Sequence, residues 1–166
     1  MRGKRPSLGV IGVLAGLLMA LVAVSPAQAT GGAESGPGEQ VLVAPPAPAE
    51  AQARADAGVA AVSPSISPGA QFEHVLPNGT YSCAEGNLCT GVWNPTNGHW
   101  KVYKLYTCNR YYLSNWLNTG FYMNNQTGNP TSYFYDQSGN VIKSFKPNYG
   151  VQYLQNWNPV WSIRNC

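Results

Sequence analysis

The chain has 166 residues, a tenth of them charged, with a formal net charge of +3, four cysteines and two histidines. Even the +4 carried by the residues after 79 is modest for tracking phosphates and argues against a nucleic-acid partner. After the first apolar run, no stretch is long enough to span a bilayer.

Residues 1–29 read as an export signal. Met1-Arg2-Gly3-Lys4-Arg5 is a cationic start, Leu8 to Val24 is apolar, and Ala27-Gln28-Ala29 is a small-x-small cleavage site. The residue directly after that site is Thr30 rather than a cysteine, which argues against a lipoprotein. The expectation is a secreted, extracellular protein with no membrane association once the signal is cut.

Residues 30–79 are a different material, with seven prolines, eleven alanines and Phe72 as the one aromatic residue. So few large apolar groups bury too little surface to offset the entropy of ordering. The expectation is a disordered linker or pro-segment, helical at most over Ala49 to Ala61. Arg54 stands there against Glu34, Glu39, Glu50, Asp56 and Glu73, a net of −4.

From residue 80 to 166 the composition inverts. Eighteen of the nineteen aromatic residues and all four cysteines lie there. Lys101, Lys104, Arg110, Lys143, Lys146 and Arg164 face Glu85 and Asp136, a net of +4. Short aromatic and β-branched runs alternate with Gly, Pro, Asn and Ser clusters, the mark of strands and turns. Strands are expected at Gly79–Ser82, Cys89–Trp93, Trp100–Leu105, Phe121–Asn124, Ser132–Tyr135, Val141–Phe145, Gln152–Leu154 and Trp161–Arg164. Asp136 to Asn140 closes the clearest hairpin, and Asn94 to His99 is its counterpart.

The domain also repeats itself. Tyr112-Leu113-Ser114-Asn115-Trp116 matches Tyr153-Leu154-Gln155-Asn156-Trp157, 41 residues on, and Trp93-Asn94 matches Tyr135-Asp136 at an offset of 42. Two such copies predict two similar units stacked about a pseudo-twofold axis, because one alone cannot bury its apolar face. The architecture expected is all-β, a two-Greek-key sandwich.

Cys83, Cys89, Cys108 and Cys166 in a short exported domain imply two disulfides, for which three pairings exist. The favoured one joins Cys83 to Cys89 in a local loop and Cys108 to Cys166 across the domain. No Cys-x-x-Cys pair is present, so no metal is expected at these thiols.

Cys83-Ala84-Glu85-Gly86-Asn87-Leu88-Cys89 resembles the opening of the βγ-crystallin-type domain of secreted bacterial peptidase inhibitors. Tyr122 to Gly128 and Trp161 to Asn165 resemble its Ser/Asn-rich strand ends. The resemblance covers residues 81–166 and implies a disulfide-stapled βγ-crystallin-like sandwich that inhibits an extracellular peptidase. The chain lacks the second small disulfide loop in which that family's metalloproteinase inhibitor presents its reactive bond, so no reactive-site residue carries over. The family's calcium pattern also breaks at Asn158-Pro159-Val160-Trp161-Ser162-Ile163.

No catalytic constellation is expected. The domain offers His99, two carboxylates far apart in sequence and no free thiol, whereas a nucleophile, base and orienting group must converge. His99 would meet Asp136 only if the two hairpin turns touched. The expectation is a monomeric, non-enzymatic binding protein without cofactor or metal. Its leading partner is an extracellular peptidase, engaged through Asn94, Pro95, Asn97, Gly98 and His99, or through Gln126–Thr131. The alternative partner is cell-wall polysaccharide, stacked on Trp116, Trp157 and neighbouring tyrosines; a toxin-like antimicrobial role is third.

Overall fold

A computed structural model describes residues 38–56 and 60–166. The export signal expected over residues 1–29 lies outside the described residues. Among those described, the elements in order are β1 (Gln40–Val43), α1 (Ala49–Asp56), β2 (Ser65–Ser67), β3 (Gln71–Val75), β4 (Thr80–Cys83), β5 (Leu88–Asn94) and β6 (His99–Leu105). They continue with β7 (Arg110–Ser114), β8 (Thr119–Asn124), β9 (Ser132–Tyr135), β10 (Val141–Phe145), β11 (Tyr153–Asn156) and β12 (Ser162–Arg164). The protein is all-β, and every strand pairing is antiparallel.

Three layers result. The central sheet runs β11-β8-β5-β6-β3, a second sheet runs β10-β9-β12-β7-β2, and β1 with β4 forms a two-stranded ribbon. Strands β5, β6 and β8 are buried along almost their whole length. Such runs belong to a sheet covered on both faces. One face puts Leu88, Val92, Tyr103, Leu105 and Tyr122 against Tyr111, Phe134 and Ile163 of the second sheet. The other face puts Cys89, Trp100, Val102, Phe121 and Met123 against Ala44, Tyr81 and Leu42 of the ribbon side.

The sequence repeat maps β5 to β9, β6 to β10, β7 to β11 and β8 to β12. Its effect is legible in the strand orders. The central sheet contains β11-β8-β5-β6, and the second contains β7-β12-β9-β10. Each sheet therefore takes three strands from its own copy and one, β11 or β7, from the other copy. Trp116 and Trp157, the repeated tryptophans, meet edge to face at 5.0 Å in the core between the sheets. Asn124 and Asn165 also correspond at an offset of 41 and are both fully buried. Asn124 donates to Ser132 Oγ and accepts from Gln126 N, while Asn165 donates to Leu105 O and accepts from Asn109 N.

Close approach at the core requires glycine at two positions. A Cβ on Gly91 would lie 2.2 Å from the Phe121 ring, and one on Gly120 would lie 2.2 Å from both Gly91 O and Trp157 Nε1. The bare backbone lets the Trp157 indole donate to Gly91 O at 2.9 Å.

Both disulfides pair as favoured, Cys83 with Cys89 and Cys108 with Cys166. On the loop-entropy estimate they contribute about 2 and about 4 kcal/mol respectively.

The disordered linker expected over 30–79 needs correction wherever that segment is described. Strand β3 pairs with β6 over five residues, β2 caps the second sheet beside β7, and β1 pairs with β4. Composition weighed only what the segment brings, not what the sheets offer it. Their open edges supply ladder partners, and the segment's proline carbonyls become acceptors. Pro64 O accepts from Lys101 Nζ and Tyr103 Oη, both at 2.9 Å, and Pro45 O accepts from Trp100 Nε1 at 2.8 Å. Each bond satisfies a donor that would otherwise be buried alone. Helix α1 occupies the first part of the alanine-rich stretch, while residues 57–59 lie outside the described residues. Strand β7 was also absent from the expected set.

Candidate functional site

The hairpin turn expected to bind a partner is closed on itself. Gly98 N donates to Asn94 O at 3.0 Å, with Gly98 at a positive φ of 69°. Asn94 is buried, and its Oδ1 accepts from Thr96 N and Thr96 Oγ. Pro95 and Asn97 are exposed, and Asn97 Oδ1 accepts from His99 N at 3.2 Å. The Gln126–Thr131 loop is anchored by Gln126, whose side chain donates to Asn165 O and accepts from Ser132 Oγ. Its tip takes positive φ at Gly128 and Asn129.

Trp116 and Trp157 need correction as a stacking platform. They are 4% and 0% exposed, and their indole N–H groups donate to Ser65 O and Gly91 O. Neither can face a sugar. Their repetition marks the pseudo-symmetric core instead. Tyr111, Phe121, Tyr122 and Phe134 are buried too.

His99 and Asp136 are each engaged in their own turns. His99 Nδ1 donates to Asn97 O at 2.6 Å. The Asp136 carboxylate accepts from Asn140 Nδ2 at 3.0 Å and Asn140 N at 2.8 Å, and these bonds hold it below the ordinary carboxylate range. His74 on β3, within the segment expected to be linker, lies 6.3 Å from His99 between ring centroids. Burial, then the Lys101 ammonium and His99, push the His74 pKa down. No third histidine, cysteine or carboxylate joins the pair among the described residues.

Lys101 itself is buried and has no carboxylate partner among the described residues. Its ammonium sits 4.3 Å over the Phe72 ring and bonds Pro64 O, so it staples the segment before β3 to the central sheet. Beside Lys104, which pairs with Glu73 at 3.1 Å, Gln71, Tyr106 and Tyr111 line an open groove of about 430 Å³.

One open surface is the outer face of the second sheet. Alternation decides which side chains reach it. Tyr111, Phe134 and Ile163 point into the core, so their neighbours Arg110, Tyr112, Tyr133, Tyr135, Ser162 and Arg164 point outward. Register then brings them together. Ser162 lies between Tyr112 and Tyr135, and Arg164 lies between Arg110 and Tyr133. Arg110 stacks 4.0 Å over Tyr135 and 5.8 Å from Tyr112, while its Nε donates to Ser162 Oγ at 3.0 Å. Tyr133 and Tyr135 lie 6.0 Å apart, and Tyr112 is 58% exposed. Ser65 and Ser67 of β2 extend the face at its edge.

The five strands of this sheet contain no aspartate or glutamate. At the usual spacing the face is about 20 Å across. The tyrosines expected to stack on sugar beside Trp116 and Trp157 are not singled out by the sequence alone. The missing signal was the period of two in Tyr133-Phe134-Tyr135 and in Arg110-Tyr111-Tyr112, read together with the unexpected strand β7.

Comparison with known proteins gives no match to this chain, whether among family models, curated proteins or solved structures.

Proposed function

We propose that the protein is an exported, non-enzymatic binding module that holds an extended wall glycan against the outer face of the sheet β10-β9-β12-β7-β2. The observation that carries this is the gathering of exposed Tyr112 and half-buried Tyr133 and Tyr135 around Ser162 and Arg164 on a face whose strands hold no carboxylate. A flat sheet offers tyrosine rings for stacking on sugar faces, and hydroxyls of Tyr, Ser65, Ser67 and Ser114 for the sugar's own hydroxyls. Arg110, braced by two rings and Ser162, keeps the platform rigid, which lowers the ordering cost of binding.

The test is co-sedimentation of the full chain with insoluble wall glycan and with chitin. Tyr112→Ala and Tyr133→Ala should each weaken retention about tenfold, the effect of losing about 1.4 kcal/mol. Retention by both variants equal to that of the parent chain removes the reading.

Inhibition of an extracellular peptidase stands as a second reading, drawn from the resemblance. It is favoured by the Cys83–Cys89 loop and by a strand order in which the copies exchange one strand, as a βγ-crystallin-like double Greek key requires. Its weakness is geometric, because the Asn94–His99 turn is folded back rather than extended like a substrate. A panel of metallo-, serine and cysteine peptidases, assayed with micromolar protein, decides it.

A further inference from the structure

The chain has two histidines, and the pairing of β3 with β6 brings them together. Val75 and Trp100 point into the core on the ribbon side of the central sheet. Their neighbours His74 and His99 therefore both point to the opposite face. The two ring centroids lie 6.3 Å apart, and His74 is exposed.

The turn fixes which nitrogen of His99 is available. A carbonyl oxygen can only accept, so the 2.6 Å contact between Nδ1 and Asn97 O places the ring proton on Nδ1. Nε2 of the neutral ring then carries the lone pair. A backbone carbonyl behind one nitrogen, with the other left to a metal, is the usual arrangement of a ligating histidine. His74 is held toward its neutral form by partial burial, then by the Lys101 ammonium and His99. Lys101 is its cross-strand partner, but the ammonium leans away from His99, over Phe72 and onto Pro64 O. Glu73 and Lys104 belong to the other face and pair there with each other.

We infer that His74 and His99 form a surface site for one copper(II) ion, with water completing its coordination. With metal–nitrogen bonds of about 2.0 Å, an ion shared by two imidazoles lies about 3.2 Å from each ring centroid, so the centroids can stand up to about 6.4 Å apart. The observed 6.3 Å is at the wide end of that range, which suits nitrogens on opposite sides of a tetragonal ion. Imidazole favours the late first-row divalent metals, and of these copper(II) binds most tightly and takes that geometry. Magnesium and calcium seek oxygen ligands and do not fit. The bound ion ties β3 to β6, and so fastens the segment before residue 80 to the central sheet. This site is separate from the tyrosine face, which belongs to the other sheet.

Calorimetric titration of the untagged full chain with copper(II) should show one site per chain, with zinc(II) weaker and magnesium(II) not bound. The electron paramagnetic resonance spectrum of the copper form should carry the splitting of two nitrogens. His74→Gln and His99→Gln should each lower copper affinity by about tenfold or more, since losing even a ligand's hydrogen-bond partner costs that much. Copper at about a hundredfold excess over its Kd favours the folded state about a hundredfold, so the parent chain should melt higher with copper and neither variant should respond. Because His74 is exposed, His74→Gln keeps the fold, and a matched circular dichroism spectrum verifies it. Unchanged copper affinity in either variant overturns the site, as do two independent sites in the parent chain. A melting temperature that copper leaves unaltered or lowers overturns the tie between β3 and β6, and zinc binding tighter than copper overturns the choice of ion.

Discussion

A chain that begins at Thr80 should fail to fold cooperatively. Residues 38–79 supply β1, β2 and β3, and with them the partners of β4, β7 and β6. Without them the outer side of the central sheet loses Leu42, Ala44 and Val75, and Tyr81, Trp100, Phe121 and Met123 face water more openly. Each large side chain fully buried is worth about 1.5–3 kcal/mol. Several of them together reach about 10 kcal/mol, comparable with the whole stability of an ordinary domain, about 5–15 kcal/mol. Lys101 Nζ and Tyr103 Oη would also lose Pro64 O, their shared acceptor. The full chain should show one sharp thermal transition, and the 80–166 fragment a broad or absent one with strong binding of a hydrophobic dye. A fragment melting cooperatively within a few degrees of the full chain would disprove the covering role of this segment.

Trp157→Ala should be the most damaging single truncation. The ring is fully buried and packs on Trp116 and Phe134. Emptying such a site costs about 3–5 kcal/mol. The loss also removes the hydrogen bond from the indole to Gly91 O, a further contribution of about 1 kcal/mol. A domain of this size should then melt about 10–20 °C lower. Tyr112→Ala, on the uncovered face, should stay within about 0.5 kcal/mol of the parent. Equal melting temperatures for the two variants would contradict the assignment of one ring to the core and the other to the surface.

These expectations show where the sequence was legible. Strand character was local: Ser132–Tyr135 and Val141–Phe145 carry it in their own residues and in the Asp136–Asn140 turn. The cysteine pairing followed from loop length and from the position of Cys166. The repeat announced two matched units, and the strand orders carry them. The segment before residue 80 was illegible because its order comes from outside itself. Gln71-Phe72-Glu73-His74-Val75 is a weak strand alone, and it is held by five partners on β6. The tryptophans misled for a related reason. A repeated Trp looks like a platform in one dimension, and only the meeting of the two copies puts both rings inside. The outer face was half legible, since alternation requires some tyrosines to stay wet, but the opposition of Arg110 and Arg164 arises from pairing between distant strands.

The exchange of β7 and β11 between the two copies fixes when this protein can mature. The β5–β6 hairpin closes locally, but its sheet waits for β11, which ends at Asn156. Neither five-stranded sheet is therefore complete until nearly the whole chain has been synthesised. Chains halted at Phe145 should be cut by protease within the time that the full-length product resists, and resistance in both would refute the late closure. Refolding should take milliseconds to seconds, as pairing between distant segments dictates.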